Sequence, residues 1–275
     1  MKKTGILIIF FLLFTILQGF SLNKNMQTDL YKQANDLFQK ASDISVSDPV
    51  KSQMLYKESL QQYLQLSDEI HNGKLFYNIG NIYFQLGDIG KSILYYRKAA
   101  LLVPGDKNLK ENLNTAREKR MDKISEQESS RFMETIFSFH YNLSSSFKSI
   151  LFAISLAIVW ISLSLFLLKK KFPPSWEHNF ITSSVIFSII SLIFLGSLLI
   201  DTIEIHKHPG GVITTNEVIA RKGDGEAYSP SFKAPLHSGL EFSLIRKRMG
   251  WYYIKLPDKT QTWIPEESAE LVVLD

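Results

Sequence analysis

Two uncharged apolar stretches near the middle of the chain, Ser149 to Leu168 and Phe180 to Ile200, constrain its fold more than any other feature. At 1.5 Å rise per residue, a helix of about 20 residues spans the hydrocarbon core of a bilayer. Serines inside them such as Ser155, Ser162, Ser164, Ser183, Ser184, Ser188 and Ser191 are compatible with a span, since a helical hydroxyl can bond a carbonyl one turn back. Between the stretches lie only residues 169–179, opening with Lys169, Lys170 and Lys171. Three lysines in so short a loop place it in the cytoplasm. A helical hairpin follows, with both outer ends on the non-cytoplasmic side. No acid or base lies inside either stretch, so the hairpin reads as an anchor without an ion path.

The N-terminus fits that topology. Lys2 and Lys3 precede an apolar run from Ile6 to Leu17, and Gln18, Gly19, Phe20 and Ser21 follow, the order of a secretory signal. Residues 1–21 are therefore expected to be a signal peptide or an uncleaved signal anchor. The chain has no cysteine, which excludes disulfides, thiolate chemistry and lipid attachment at a signal-peptide cysteine. Its formal net charge of +4 owes much to the five lysines at Lys2, Lys3 and Lys169 to Lys171. Nucleic-acid binding needs a basic face on a folded domain, and none is indicated.

Residues 22–123 are helical in pattern. From Gly73 to Asp106, the positions Phe76, Ile79, Gly80, Tyr83, Gly87, Ser92, Tyr96, Ala99 and Pro104 fall at the spacing of a tetratricopeptide repeat. Phe76, Ile79, Gly80 and Tyr83 form one helix face, Gly87 and Asp88 turn the chain, and Ser92, Tyr96 and Ala99 offer a second helix that Pro104 ends. One repeat cannot bury its own apolar face, so neighbours are required. Leu30, Ala34 and Leu37 with Ser52, Tyr56 and Ser59 resemble a degraded copy, with extra residues from Ile44 to Pro49. A closing helix carries Leu109, Leu113 and Ala116, and its Lys110, Glu111, Arg117, Glu118, Lys119 and Arg120 are expected to form a solvated cap. Lys74, Tyr77, Asn81 and Phe84 share a second face of the complete repeat's first helix, expected to line a ligand groove. Residues 124–148 read as a membrane-proximal linker.

Residues 211–274 change period to short β-branched or aromatic runs punctuated by Gly223-Asp224-Gly225, Ser238-Gly239, Met249-Gly250 and Pro257-Asp258. The order Asn216-Glu217-Val218 with Arg221, Gly239, Gly250-Trp251, Thr262-Trp263-Ile264-Pro265 and Glu270-Leu271-Val272 resembles a bacterial SH3 domain, with Thr262 where that family usually has Gly. By alternation Tyr252, Ile254 and Leu256 point into the core, leaving Trp251 and Tyr253 on the other face. That pair is either an aromatic shelf for an extended peptide or packing against Arg246-Lys247-Arg248 or Trp263. The three bases read as a solvated turn.

The sequence thus describes a multidomain membrane protein: an α-helical tetratricopeptide repeat array, a transmembrane helical hairpin and an all-β SH3-like barrel. This order resembles the BatE proteins of the Bat aerotolerance operon. The resemblance implies a bacterial inner-membrane protein with both folded domains in the periplasm. It also implies work with von Willebrand A-type Bat membrane proteins and a MoxR-type ATPase in envelope or oxidative-stress tolerance, with no catalytic residues to carry over. The competing expectation is a cell-wall sensor whose SH3 domain holds peptidoglycan peptide. No phosphate loop, nucleophile elbow or zinc-protease helix is present, and His206 and His208 lack a nearby third ligand, so neither an enzyme nor a metal or other cofactor is expected.

Overall fold

A computed structural model describes residues 26–124, 138–168, 173, 175–207 and 209–274. The signal segment 1–21, the lysine loop 169–171 and most of the expected linker lie outside these, as do His208 and the side chain of His206. The chain forms two compact units that divide between Asp88 and Ile89.

In the first unit, α1 covers residues 26–43, α2 spans Pro49–Ser67 and α3 spans Gly73–Gln85. Asp48 starts α2 by accepting a hydrogen bond from the Lys51 amide, with Pro49 in the first turn where its missing N–H costs nothing. Asn72 caps α3 in the same way through the Lys74 amide. Buried Ser52 and Ser59 donate to the carbonyls of Ala41 and Ala34, each at 2.7 Å. Those bonds tie α2 to α1 at two points where Ala41 and Ala34 leave room for close approach. The expected core face of α3 is buried throughout at Phe76, Ile79, Gly80 and Tyr83. Fully covered Ile79 and Ile82 each contribute about 1.5–3 kcal/mol.

Helix α3 stops in a complete left-handed cap. Gly87 has φ +81°, its amide donates to the Phe84 carbonyl, and the Asp88 amide reaches back to Tyr83. An L side chain is strained in that backbone conformation, which explains the glycine.

The second unit opens with α4 (Ile89–Leu102) and α5 (Lys107–Lys119), the latter capped by Asp106 accepting from the Leu109 amide. Ser92, Tyr96 and Ala99 are buried on α4, as are Leu109, Leu113 and Ala116 on α5. A short helix α6 (Ser138–Asn142) precedes α7 (Ser145–Leu167) and α8 (Trp176–Lys207). Both long helices are apolar enough to cross a membrane. They pack side by side along a seam of buried Ser155, Ser162, Ser191 and Ser197, with Ser162 and Ser183 hydrogen-bonded at 3.1 Å. Small polar residues let two helix backbones approach where apolar bulk gives no preference over lipid. Each helix runs past its apolar stretch, α7 starting four residues before Ser149 and α8 reaching seven beyond Ile200. That overrun brings Lys148 and Asp201 into the helical hairpin.

The C-terminal strands are β1 (Gly210–Ile213), β2 (Glu217–Val218), β3 (Leu236–His237), β4 (Glu241–Arg248), β5 (Trp251–Lys255), β6 (Gln261–Pro265) and β7 (Ala269–Leu271). Five form an antiparallel sheet in the order β6-β5-β4-β1-β7, and β2 pairs with β3. Met249 and Gly250 both have positive φ, the two-residue turn whose twist suits the hairpin between β4 and β5. Ile213, Leu240, Phe242, Tyr252, Ile254 and Ile264 lie in the core of this region. Helix α4 meets the sheet at very close range: a methyl group on Gly90 would sit 2.2 Å from Ser238 Oγ.

Candidate functional site

On α3, the sequence-predicted groove residues share one helix face. Lys74 is exposed, whereas Tyr77, Asn81 and Phe84 are half-buried, and all three of these already have partners. Lys74 borders a cleft of about 430 Å³ in the first unit, walled by Tyr31, Leu66, Ile70 and Leu75. Asn78, which the sequence did not single out, donates to the phenol oxygens of Tyr31 (3.2 Å) and Tyr63 (3.1 Å) and so ties α3 to the two preceding helices. Burial, with Tyr31 alongside, pushes the Tyr63 phenol above its ordinary range.

The aromatic face of the sheet differs from an open shelf. Tyr252, Ile254 and Leu256 are buried as alternation predicts, and Trp251 and Tyr253 are half-buried on the opposite face. Tyr253 packs on Trp263 with ring centroids 4.8 Å apart, and its hydroxyl donates to Gln261. Arg246 lies 5.2 Å from the Tyr253 ring and 5.1 Å from the Trp263 ring. A register shift between Leu244 and Arg246 causes this: with Ile245 as an extra residue, Arg246 falls opposite Tyr253 instead of opposite core-facing Tyr252.

The three bases are exposed, as expected of a solvated segment, but they lie in strand β4 and each has a partner. Arg246 covers the aromatic pair, Lys247 pairs with Glu266, and Arg248 pairs with Asp224 at 3.1 Å. Burial and the Glu266 hydrogen bond raise the Tyr252 phenol to about 12, while the Lys247 contact holds Glu266 below the usual carboxylate range. Thr262, standing where a glycine was expected, is buried and donates to the Arg221 carbonyl while sharing a hydrogen bond with Ser231.

The solvated cap expected on α5 holds for Lys110, Glu111, Glu118 and Lys119 and is corrected for Arg117 and Arg120. Arg117 forks onto Glu241 of β4 at 2.7 and 2.8 Å, with Arg120 at 3.3 Å and Arg97 of α4 at 3.5 Å. Burial alone would raise the Glu241 carboxyl; the Arg117 fork, with Arg97 and Arg120 nearby, outweighs it and holds the group below its ordinary range. Asp122 continues the junction, accepting from the His237 amide at 2.6 Å and facing the same residue's Nδ1 at 2.9 Å. Arg117 and Arg120 therefore meet the sheet, while Lys110, Glu111, Glu118 and Lys119 stay exposed.

A second polar cluster, unforeseen in the sequence, closes one end of the hairpin. Lys148, 1 % exposed, donates to both oxygens of Asp201 at 2.8 Å and to His140 Nδ1 at 3.2 Å. Ser145 donates to Asp201 at 2.7 Å, and Ser197 lies 2.7 Å from His140 Nδ1. With the Lys148 ammonium beside it, Nδ1 is the acceptor and the ring proton resides on Nε2. The sequence held one signal for this cluster. A lone base just before the first apolar stretch and a lone acid just after the second fall at the same end of an antiparallel hairpin. Among the described residues no group of His, Asp or Glu is arranged to hold a metal ion.

Residues 73–104, covering α3 and α4, match the tetratricopeptide repeat family. No curated protein matches the chain. The chain therefore contains a tetratricopeptide repeat within a helical array, followed by two helices apolar enough to cross a membrane and a small antiparallel sheet.

Proposed function

We propose that the chain is a membrane-anchored protein-interaction adaptor, held by the α7–α8 hairpin, with both folded parts in the periplasm of a bacterium. The tetratricopeptide repeat at residues 73–104 carries this reading, because such repeats serve by presenting a helical face to a partner segment. Binding, not catalysis, is the activity assigned. In finer detail, the chain is a Bat-type envelope component that engages von Willebrand A-type membrane proteins and supports oxidative-stress tolerance. Its last domain is an SH3-like barrel: β6 and β7 sit at opposite ends of the strand order yet are joined by only the short turn Glu266–Ser268, which supports closure of the sheet on itself.

Partner contact is assigned to Lys74, Tyr77, Asn81 and Phe84, with the sheet's Trp251 and Tyr253 as a lesser surface because Tyr253 is engaged by Trp263 and Arg246. Purification of the tagged chain in mild detergent tests the reading. A membrane protein should co-purify with wild type and be lost from Tyr77→Ala/Asn81→Ala at nearly unchanged thermal stability. Retention of the partner by that variant refutes the groove. Recovery on purified sacculi with no membrane-protein partner replaces the adaptor by a wall-binding role.

A further inference from the structure

A cleft of about 380 Å³ lies where α4, the start of α7, the end of α8 and the paired strands β1 and β4 converge. Its lining includes Arg97, Tyr141, Ser145, Lys148, Asp201 and Ser243. That volume lies within the range of small-molecule sites. Lys148 and Asp201 stand near the outer ends of the two apolar helices, and β1 begins only three residues after α8 ends. Granted the membrane anchor proposed above, on which this inference rests, the cleft opens at the boundary between hydrocarbon and water. Tyr141, 44 % exposed, stands at its lip, where an interfacial aromatic is favoured.

The charge balance of the cleft and its ion pairs is uneven. Among the described residues, Arg97, Arg117, Arg120 and Lys148 face the carboxylates of Glu241 and Asp201. Lys148 is neutralised by Asp201, and Glu241 is filled by the Arg117 fork and Arg120. Arg97 keeps the longest of the three contacts to Glu241, through Nε, at 3.5 Å. Its Nη2 lies over Gly210, 3.4 Å from where a methyl group would stand, and its side chain is 39 % exposed. Arg97 thus brings a guanidinium to the cleft, and the N–H donors along its planar edge pair well with phosphate oxygens. We propose that this cleft binds the phosphate headgroup of an anionic membrane phospholipid, with Arg97 as its cationic contact and the acyl chains passing into the bilayer beside α7 and α8.

To test this, the full chain in detergent is titrated with phosphatidylglycerol, phosphatidylcholine or inorganic phosphate. Retained lipid is counted by native mass spectrometry, and the unfolding midpoint is measured in parallel. Phosphatidylglycerol should be retained in preference to phosphatidylcholine and raise the midpoint, and Arg97→Gln should bind it about tenfold more weakly. Ser243→Asp, which places a carboxylate in the cleft and leaves Arg97 in place, should show the same loss and guards against misfolding of the arginine variant. Equal retention of the two lipids, or undiminished retention by both variants, overturns the proposal. Stabilisation by inorganic phosphate without lipid retention assigns the cleft to a soluble anion and equally overturns it. Failure of the chain to insert into liposomes refutes the membrane anchor itself, whereas insertion without headgroup preference refutes the cleft alone.

Discussion

Replacing Glu241 by alanine should strand three arginines at the junction of α4, α5 and β4. Glu241 is 14 % exposed and Arg120 12 %, so neither end of that contact is well hydrated. Removing one partner of a buried pair costs about 3–5 kcal/mol, because the remaining charge loses its compensation without regaining water. Arg97, more than a third exposed, adds little to that figure. Glu241→Gln keeps the volume and one acceptor oxygen, so about 1–2 kcal/mol is expected there. Adding Arg117→Met to Glu241→Ala should return part of the loss by removing a stranded cation.

The effect has a defined pH dependence. Because the folded-state carboxyl lies below its ordinary value of 4.5, its contribution is complete above about pH 4.5 and is lost as pH falls through the lower folded value. Denaturant unfolding in detergent measures both, followed by fluorescence of Trp251 and Trp263 with Trp160 and Trp176 replaced by phenylalanine. The gap between wild type and Glu241→Gln should narrow in acid. A Glu241→Ala loss below about 1 kcal/mol, the range of an exposed pair, would refute the buried junction. So would a gap that does not change with pH.

Two further outcomes follow from the backbone and the hairpin. Gly87→Ala should cost about 1–2 kcal/mol in unfolding free energy through φ strain alone, since open space surrounds the position, and Gly87→Asn should cost less. In spheroplasts, a cysteine introduced by Ser175→Cys should resist an impermeant thiol reagent while those from Ser47→Cys and Ala227→Cys react; the reverse pattern would invert the topology.

Local pattern located the repeat, the two apolar helices and the strands around Val218, Phe242 and Ile254, because each rests on rules that hold wherever the chain goes, whereas β1 and β3 were not foreseen. Phe76, Ile79 and Tyr83 recur at helical spacing, Gly87 marks a cap, and Tyr252 and Ile254 alternate inward. Composition likewise fixed the absence of thiol chemistry. Which charges meet which was invisible, since partners more than 50 residues apart are chosen by packing. Arg117 and Arg120 show the same spacing whether they face water or Glu241 of β4, and only the approach of α4 and α5 to the sheet decides. Lys148 and Asp201 each look like ordinary flanks of an apolar stretch until the hairpin brings them within 2.8 Å. Ile245 shows the limit most plainly. A one-residue shift in strand register leaves no local mark, yet it turns Arg246 onto the aromatic face and selects packing over the open shelf that the sequence left as an equal alternative. Sequence determined the elements because backbone preference and apolar period are local, and tertiary structure decided the site because charge compensation and register depend on distant chain.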